Sequence, residues 1–422
     1  MLKKANFKIV LYLAICATPL VVVAGLSDLP ISIGGWANKT NEILNGHIPK
    51  SNFYPAGSAI MLIPFIWDSP KYLFVIFFYF LGGAALYWKI CENIGNRNLR
   101  LISLSALPLN PYLIWLCYSS QDTVFEFFVL MLVIYSSLKN NPYLFVFSGL
   151  LLCLIRPSYW IMYLAIGIYL FFKKNNTNKA RYVFILPLLL FPINSIYNYL
   201  QYNSFSPANE SGITAYFSYN KYYYLAHPKY DMDVFLSKEG HMEVKGLEKL
   251  NESDSNSLYL KMAVESIKEN PKETVLGTLQ KVDSYIFDIQ KIPHLPGEYY
   301  LSKDSKVIII GDERLEWKFV IGNLIYAAGR IILLLFYFPS LVLYYLNRKR
   351  KLLKNIELIT TILILPWISG LVPGLLFYTE TRFKIISELL LIPFICIIFS
   401  NAIFKPETNE DYKIIDFHKD RA

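Results

Sequence analysis

Apolar runs long enough to cross a bilayer recur along most of this chain, and short clusters of lysine and arginine separate them. Inside a hydrocarbon core every backbone N–H and C=O must find its partner within the protein, so runs of roughly 20 apolar residues can only be helices. Over 422 residues the chain is 54% hydrophobic and 16% aromatic, with a mean hydropathy of +0.35, far above that of a water-soluble enzyme of this length. The expected fold class is therefore all-α integral membrane, with about ten transmembrane helices, outer juxtamembrane helices and a small α-rich extracytoplasmic domain.

Basic clusters set the sides, because they are retained in the cytoplasm. Phe7 to Leu26 follows Lys3 and Lys4 and runs outward. Ala24-Gly25 imitates a signal-peptide cleavage site, but the run is closer to a full span than to a signal core, so it reads as a retained anchor. Tyr72 to Ile90 returns to Arg97 and Arg100, Leu101 to Tyr118 rises, and Thr123 to Leu138 returns to Lys139. Pro142 to Ile155 and Tyr159 to Phe172 are short for full spans and turn at Arg156-Pro157, then end in Lys173, Lys174, Lys179 and Arg181. Tyr182 to Leu200 leads outward again. Lys318 to Leu346 ends at Arg348 to Lys351, and Ile356 to Tyr378 and Lys384 to Phe404 complete the set, with both termini cytoplasmic.

The resulting division is a transmembrane module at 1–200 with a first outer loop at 27–70, an extracytoplasmic loop domain at 201–317, C-terminal transmembrane helices at 318–404 and a cytoplasmic tail at 405–422. Gly57 to Trp67 is apolar but too short to cross alone and reads as a surface helix or a lead into the second span. Within the outer domain Leu258, Met262, Ala263 and Ile267 recur at helical spacing, as do Val275, Leu276, Leu279, Val282 and Ile286 beyond Asn270-Pro271. Two amphipathic helices joined at that proline follow from the pattern.

The net charge of +9 resides in clusters between spans, which argues against nucleic acid as a partner and for membrane lipids. Cys16, Cys91, Cys117, Cys153 and Cys396 all fall in or beside apolar segments without metal or disulfide spacing, and behave as small apolar residues. His227, His241 and His294 have no second ligand at zinc spacing.

Asp28 is the focal residue, placed where the first span ends and a polar outer segment begins. This topology carries Asp28, His47/Lys50/Tyr54, Asp122, Arg156 and Glu380/Arg382 to one outer surface. Transfer between a membrane-anchored phosphate donor and a hydroxyl needs a carboxylate to take the proton and cations to hold the departing phosphate. Asp28 and Asp122 are the candidate carboxylates, although Ser-Ser-Gln-Asp before an apolar run is also an ordinary helix N-terminus. Lys50, Arg156 and Arg382 are the phosphate candidates, with interfacial snorkelling as the plainer reading, and Tyr54 and Glu380 accompany them as substrate-binding candidates. Arg330, inside an apolar run, requires a polar cavity or a partner carboxylate.

These segments, in order, carry a resemblance. Ser27-Asp28, Leu44-Asn45-Gly46 and Phe53-Tyr54-Pro55-Ala56-Gly57 resemble the first outer loop of the GT-C glycosyltransferases, the superfamily of protein O-mannosyltransferases and lipid A aminoarabinose transferases. Asn110-Pro111 before Asp122, Ile155-Arg156-Pro157, Glu269-Asn270-Pro271 and Glu380-Thr381-Arg382-Phe383 extend the likeness along the chain. The resemblance implies inverting transfer of a sugar from a polyprenyl-phosphate donor to a hydroxyl on a cell-surface glycan or lipid, at the outer face of a bacterial inner membrane. It makes Asp28 the general base or the carboxylate that orients the acceptor, Asp122 its support and Lys50, Arg156 and Arg382 the lipid-phosphate contacts. No cofactor is certain, and a divalent ion, Mg or Mn, is a possible one. The sequence departs from the pattern where Ser27 and Leu29 flank Asp28 and Phe383 replaces tyrosine. A lipid-linked glycan polymerase or flippase is the alternative class.

Overall fold

The computed structural model describes residues 2–26, 34–47, 57–65, 72–119, 121–172, 211–220, 250–286, 297–301, 307–311, 316–349, 356–376 and 381–403, with isolated positions between 182 and 223. The described chain is helical apart from one β-hairpin, and five of its helices are long and apolar enough to cross a membrane, or six if one bent pair counts as a single span.

α1 (Leu2–Leu26) is followed by α2 (Gly34–Leu44), which ends in a Schellman turn: Gly46 takes φ 72°, and the N–H groups of Gly46 and His47 reach back to Ile43 and Glu42. α3 (Gly57–Leu62) is short and continues into a single 3-10 turn, Ile63–Phe65. The Thr40 hydroxyl donates to Ala59 O at 2.9 Å, and the Tyr79 hydroxyl of α4 (Tyr72–Cys91) donates to Met61 O at 2.6 Å, so α2 and α3 are pinned to the bundle.

The expected span Leu101 to Tyr118 is two helices instead, α5 (Arg97–Ser105) and α6 (Pro111–Ser119). Pro108 and Pro111 each remove an amide donor and push the preceding residue out of helical geometry, and Asn110 Oδ1 accepts from Leu113 N at 3.0 Å to start α6 afresh. α7 (Gln121–Leu138) meets α6 at 115°. It is the hub of the first half, packed on α4, α6 and α8 (Pro142–Ile155). Gly82 and Gly83 of α4 leave just the space that the Phe128 and Phe127 rings of α7 fill. After the 3-10 turn Pro157–Tyr159 comes α9 (Trp160–Phe172), whose Tyr163 ring lies over Gly149 of α8.

In the segment between the two sets of long helices, α10 (Ser211–Tyr219) lies along α11 (Glu252–Glu269), joined where Asn256 Oδ1 accepts from Gly212 N at 2.5 Å. Pro271 then opens α12 (Pro271–Ile286), matching the helix pair expected from spacing. The described part of 201–317 is mainly helical, and it also holds an unforeseen antiparallel pair, β1 (Gly297–Leu301) and β2 (Val307–Gly311), with Tyr299 opposite Ile309. Its strands are short runs of β-branched and aromatic residues, which suit a pleated ladder. α13 (Glu316–Lys349), α14 (Glu357–Leu376) and α15 (Thr381–Ile403) follow. α15 is the innermost, with 78% of its most apolar window buried against α14, α13, α5 and α6.

Helix length sets depth. α8 has 14 residues and α9 has 13, so each rises about 20 Å, short of the ~30 Å hydrocarbon core. Neither is long enough to cross that core alone, and the two meet at the turn that carries Arg156.

Gly57 touches the backbone of α8 so closely that an added Cβ would lie 2.7 Å from Leu154 O. Gly57→Ala should lower stability by about 1–3 kcal/mol through forced displacement of α3. Thermal unfolding in detergent reads this directly; Gly25→Ala, with nothing within 4 Å, should leave the midpoint unchanged.

Candidate active site

α8 stops at Ile155 because the next pair is Arg-Pro. A residue before proline is driven out of the helical region, and Arg156 takes φ −140°, ψ 108°. That extended residue turns its guanidinium towards α7, whose first turn carries Asp122 and whose second carries Glu126, four residues on and so on the same face. Arg156 Nη2 donates to Asp122 Oδ2 at 2.8 Å, while Arg156 Nε donates to Glu126 Oε2. The Tyr159 hydroxyl completes the cluster by donating to Glu126 Oε1 at 2.6 Å.

The three charged side chains differ in access. Glu126 is 1% exposed, Arg156 12% and Asp122 26%. A buried carboxylate is tolerated only when paired and hydrogen-bonded, which Arg156 and Tyr159 achieve for Glu126. Asp122 is the member that reaches open space. Its position in the first turn of α7 adds the favourable end of the helix dipole to the attraction of Arg156. The geometry thus makes Arg156 an orienting cation for a partly open carboxylate, with Glu126 and Tyr159 fixing the guanidinium from behind. Gly57, on the last turn of α8, brings the first-loop helix to the edge of the same cluster.

Of the residues expected from sequence, Asp122 and Arg156 are brought into direct contact. Asp28, Lys50, Tyr54 and Glu380 lie outside the described residues. Arg382 is placed by its backbone in the first turn of α15, and His47 lies exposed just beyond α2. Glu126 and Tyr159 were missed. The available signal was an acidic residue inside an otherwise apolar span, one helical turn beyond another acid.

A second polar cluster lies across α15. Arg330 of α13 pairs with Glu388, supplying the partner carboxylate that its place in an apolar run requires. Arg330 Nη2 also donates to Tyr285 O at 3.2 Å and Ile286 O at 3.0 Å, and Lys384 Nζ donates to Tyr285 O at 3.3 Å. These are the last carbonyls of α12, which have no partner within their own helix. Two cations at a helix C-terminus satisfy the carbonyls and match the dipole. Ser387, between Lys384 and Glu388 in sequence, interacts with the Tyr159 hydroxyl, so α15 bridges the two clusters.

Higher on α12, buried Lys281 donates to Leu375 O at 3.3 Å, beside the Tyr219 hydroxyl, which donates to the same carbonyl at 3.1 Å. The Lys281 ammonium lies 3.8 Å from the Tyr219 ring centroid, and burial pushes its pKa down to about 7.

Among the described residues no three His, Cys, Asp or Glu side chains gather into a metal-binding group, and the two neighbouring carboxylates share a guanidinium.

Arg156→Gln strands buried Glu126 and should cost about 3–5 kcal/mol, read as a loss of thermal stability. The double variant Arg156→Gln/Glu126→Gln should recover a substantial part of that loss. Docked Lys281 favours the neutral amine, whereas the free side chain stays protonated up to its ordinary pKa near 10.5. Docking of α12 on α14 should therefore weaken as pH falls from above 10 towards 7, by up to about 1.4 kcal/mol per unit, and level off below. Spin-label distances between positions 279 and 368 should show this pH dependence, and Lys281→Met should remove it.

Comparison of the chain with protein-family models, with curated proteins and with solved structures finds no match to any of them.

Proposed function

We propose that the chain is a membrane glycosyltransferase that moves a sugar from a polyprenyl-phosphate donor to a hydroxyl of a cell-surface glycan or lipid, at the outer face of a bacterial inner membrane. The observation that carries this reading is the Asp122–Arg156 pair, largely buried among apolar helices and adjoined by α3; the reading sets it within the apolar layer. A carboxylate oriented by a guanidinium at that depth suits a reaction whose donor is a lipid and whose acceptor arrives from water. The order of motifs along the chain supports the same reading.

In the proposed reaction the acceptor oxygen attacks the anomeric carbon from the face opposite the phosphate, and the C–O bond to phosphate breaks with its electrons. The hydroxyl proton passes to a carboxylate, assigned to Asp28, while Asp122 holds the acceptor in line. Polyprenyl phosphate leaves as an anion, stabilised by Lys50 and Arg382. General-base assistance of this kind is worth about 10²–10⁴ in rate. Arg156 is assigned mainly to orienting Asp122, since two of its donors already serve Asp122 and Glu126.

The competing class, a polymerase or flippase for lipid-linked glycans, draws on a midspan charge along a translocation path. Arg330 is that charge, and its contacts give it a structural task in closing the end of α12. The outer placement of the cluster, about ten spans and cytoplasmic termini belong to this proposal.

Transfer from a polyprenyl-phosphate sugar by purified protein tests it. Asp28→Asn and Asp122→Asn should each lower turnover by about 10²–10⁴ with the fold retained. Near-normal turnover in Asp28→Asn removes the assigned base; the same result in Asp122→Asn removes the site built here.

A further inference from the structure

A cavity of about 180 Å³ lies beside α15 at the Arg330–Glu388 pair. Its walls come from three elements: the turn between α5 and α6 (Leu109, Pro111), α13 (Gly329, Leu333) and α15 (Ile392). Its polar lining residues are Asn110, Arg330 and Glu388. Elsewhere the lining is almost wholly aliphatic.

α13 is one of the candidate spans, and only 17% of its most apolar window is buried within the protein. Within the span Ala328–Leu346, Ile331 is 50% exposed and Leu335 66% exposed, a face suited to lipid. Gly329 and Leu333 of the same span line the cavity, so its α13 wall adjoins that exposed face. Gly329 forms the notch. A Cβ placed on it meets nothing within 4 Å, and its neighbours Ala327 and Ala328 are also small. A mostly aliphatic slot that holds a buried ion pair and adjoins the exposed face of a candidate span fits an amphiphile with one chain inserted. Water does not suit the aliphatic part, which offers it no hydrogen-bond partners.

We infer that this cavity is a lateral binding site for one hydrocarbon chain of a membrane lipid, lying with its polar end towards Arg330 and Glu388. An isoprenoid chain and a fatty-acyl chain share that chemistry. The site stands apart from the transferase reading, since either chain type would occupy it whatever the carboxylate cluster does.

The test uses the full chain in lipid nanodiscs, each doped with one of two photoreactive probes. One is a phosphatidylethanolamine with a diazirine in an acyl chain, and the other is a polyprenyl phosphate with a diazirine in its chain. After irradiation, adducts are mapped by peptide mass spectrometry. Adducts from at least one probe should concentrate on residues 325–333 and 385–392. Gly329→Leu, which fills the notch, should reduce them by about tenfold, the effect of roughly two methylenes losing their apolar contact. Ala328→Leu, on the exposed side of the same helix, should leave them unchanged. Preferential labelling by the polyprenyl probe supports the site and joins it to the proposed donor. Labelling by the acyl probe alone supports it as a general lipid site and detaches it from the donor. Adducts spread evenly along exposed α13, or unaltered by Gly329→Leu while the variant elutes as the wild type does, overturn the inference.

Discussion

The double engagement of Arg156 is the interaction on which the packing of α7 against α8 depends. A proline one residue later ends α8, and the guanidinium it releases is the group that allows Glu126 to remain buried on α7. Neither charge is affordable buried alone. The pair explains why two short helices, α8 and α9, persist where a full span would otherwise be expected. Breaking the helix early places a cation opposite the first turn of α7, and Asp122 then gains an orientation that a residue at a helix N-terminus would not otherwise have.

The same logic recurs on the opposite side of α15. α12 brings its C-terminal carbonyls among membrane-spanning helices, where water cannot satisfy them, and Arg330 and Lys384 do so instead. Glu388 offsets the charge thereby buried. α15 holds the two arrangements together, with Ser387 directed at Tyr159 and Glu388 at Arg330. A shift of this helix would be felt by both clusters at once. Lys281 and Tyr219, both donating to the Leu375 carbonyl near the end of α14, tie α12 and α10 to the same group of helices.

Much of this was legible in the residues. Hydropathy and basic clusters located α1, α4, α13, α14 and α15 to within a few residues, because a helix in lipid is fixed by length and composition alone. The 3.6-residue spacing and Pro271 gave α11 and α12. Leu101 to Tyr118 failed as a single span because average hydropathy outweighed Pro108 and Asn110-Pro111, which control the backbone locally. The hairpin was hidden because Gly297–Leu301 and Val307–Gly311 are too short to show alternation against an apolar background. In the site, Asp122 and Arg156 were each legible as polar groups at span ends. Their contact was not, since pairing across helices depends on depth and rotation that no local pattern encodes. Glu126 and Glu388 went unread because apolar neighbours conceal single acids within a span, although Arg330 signalled that a partner of its kind was needed.

The mass spectrum of the lipid retained by the protein when it is extracted from its own membrane bears most directly on the proposed activity. The account predicts a polyprenyl phosphate carrying a single sugar, displaced when excess polyprenyl phosphate is added. Retention of diacyl phospholipids alone, under conditions where added polyprenyl-phosphate sugar also fails to bind, would contradict it.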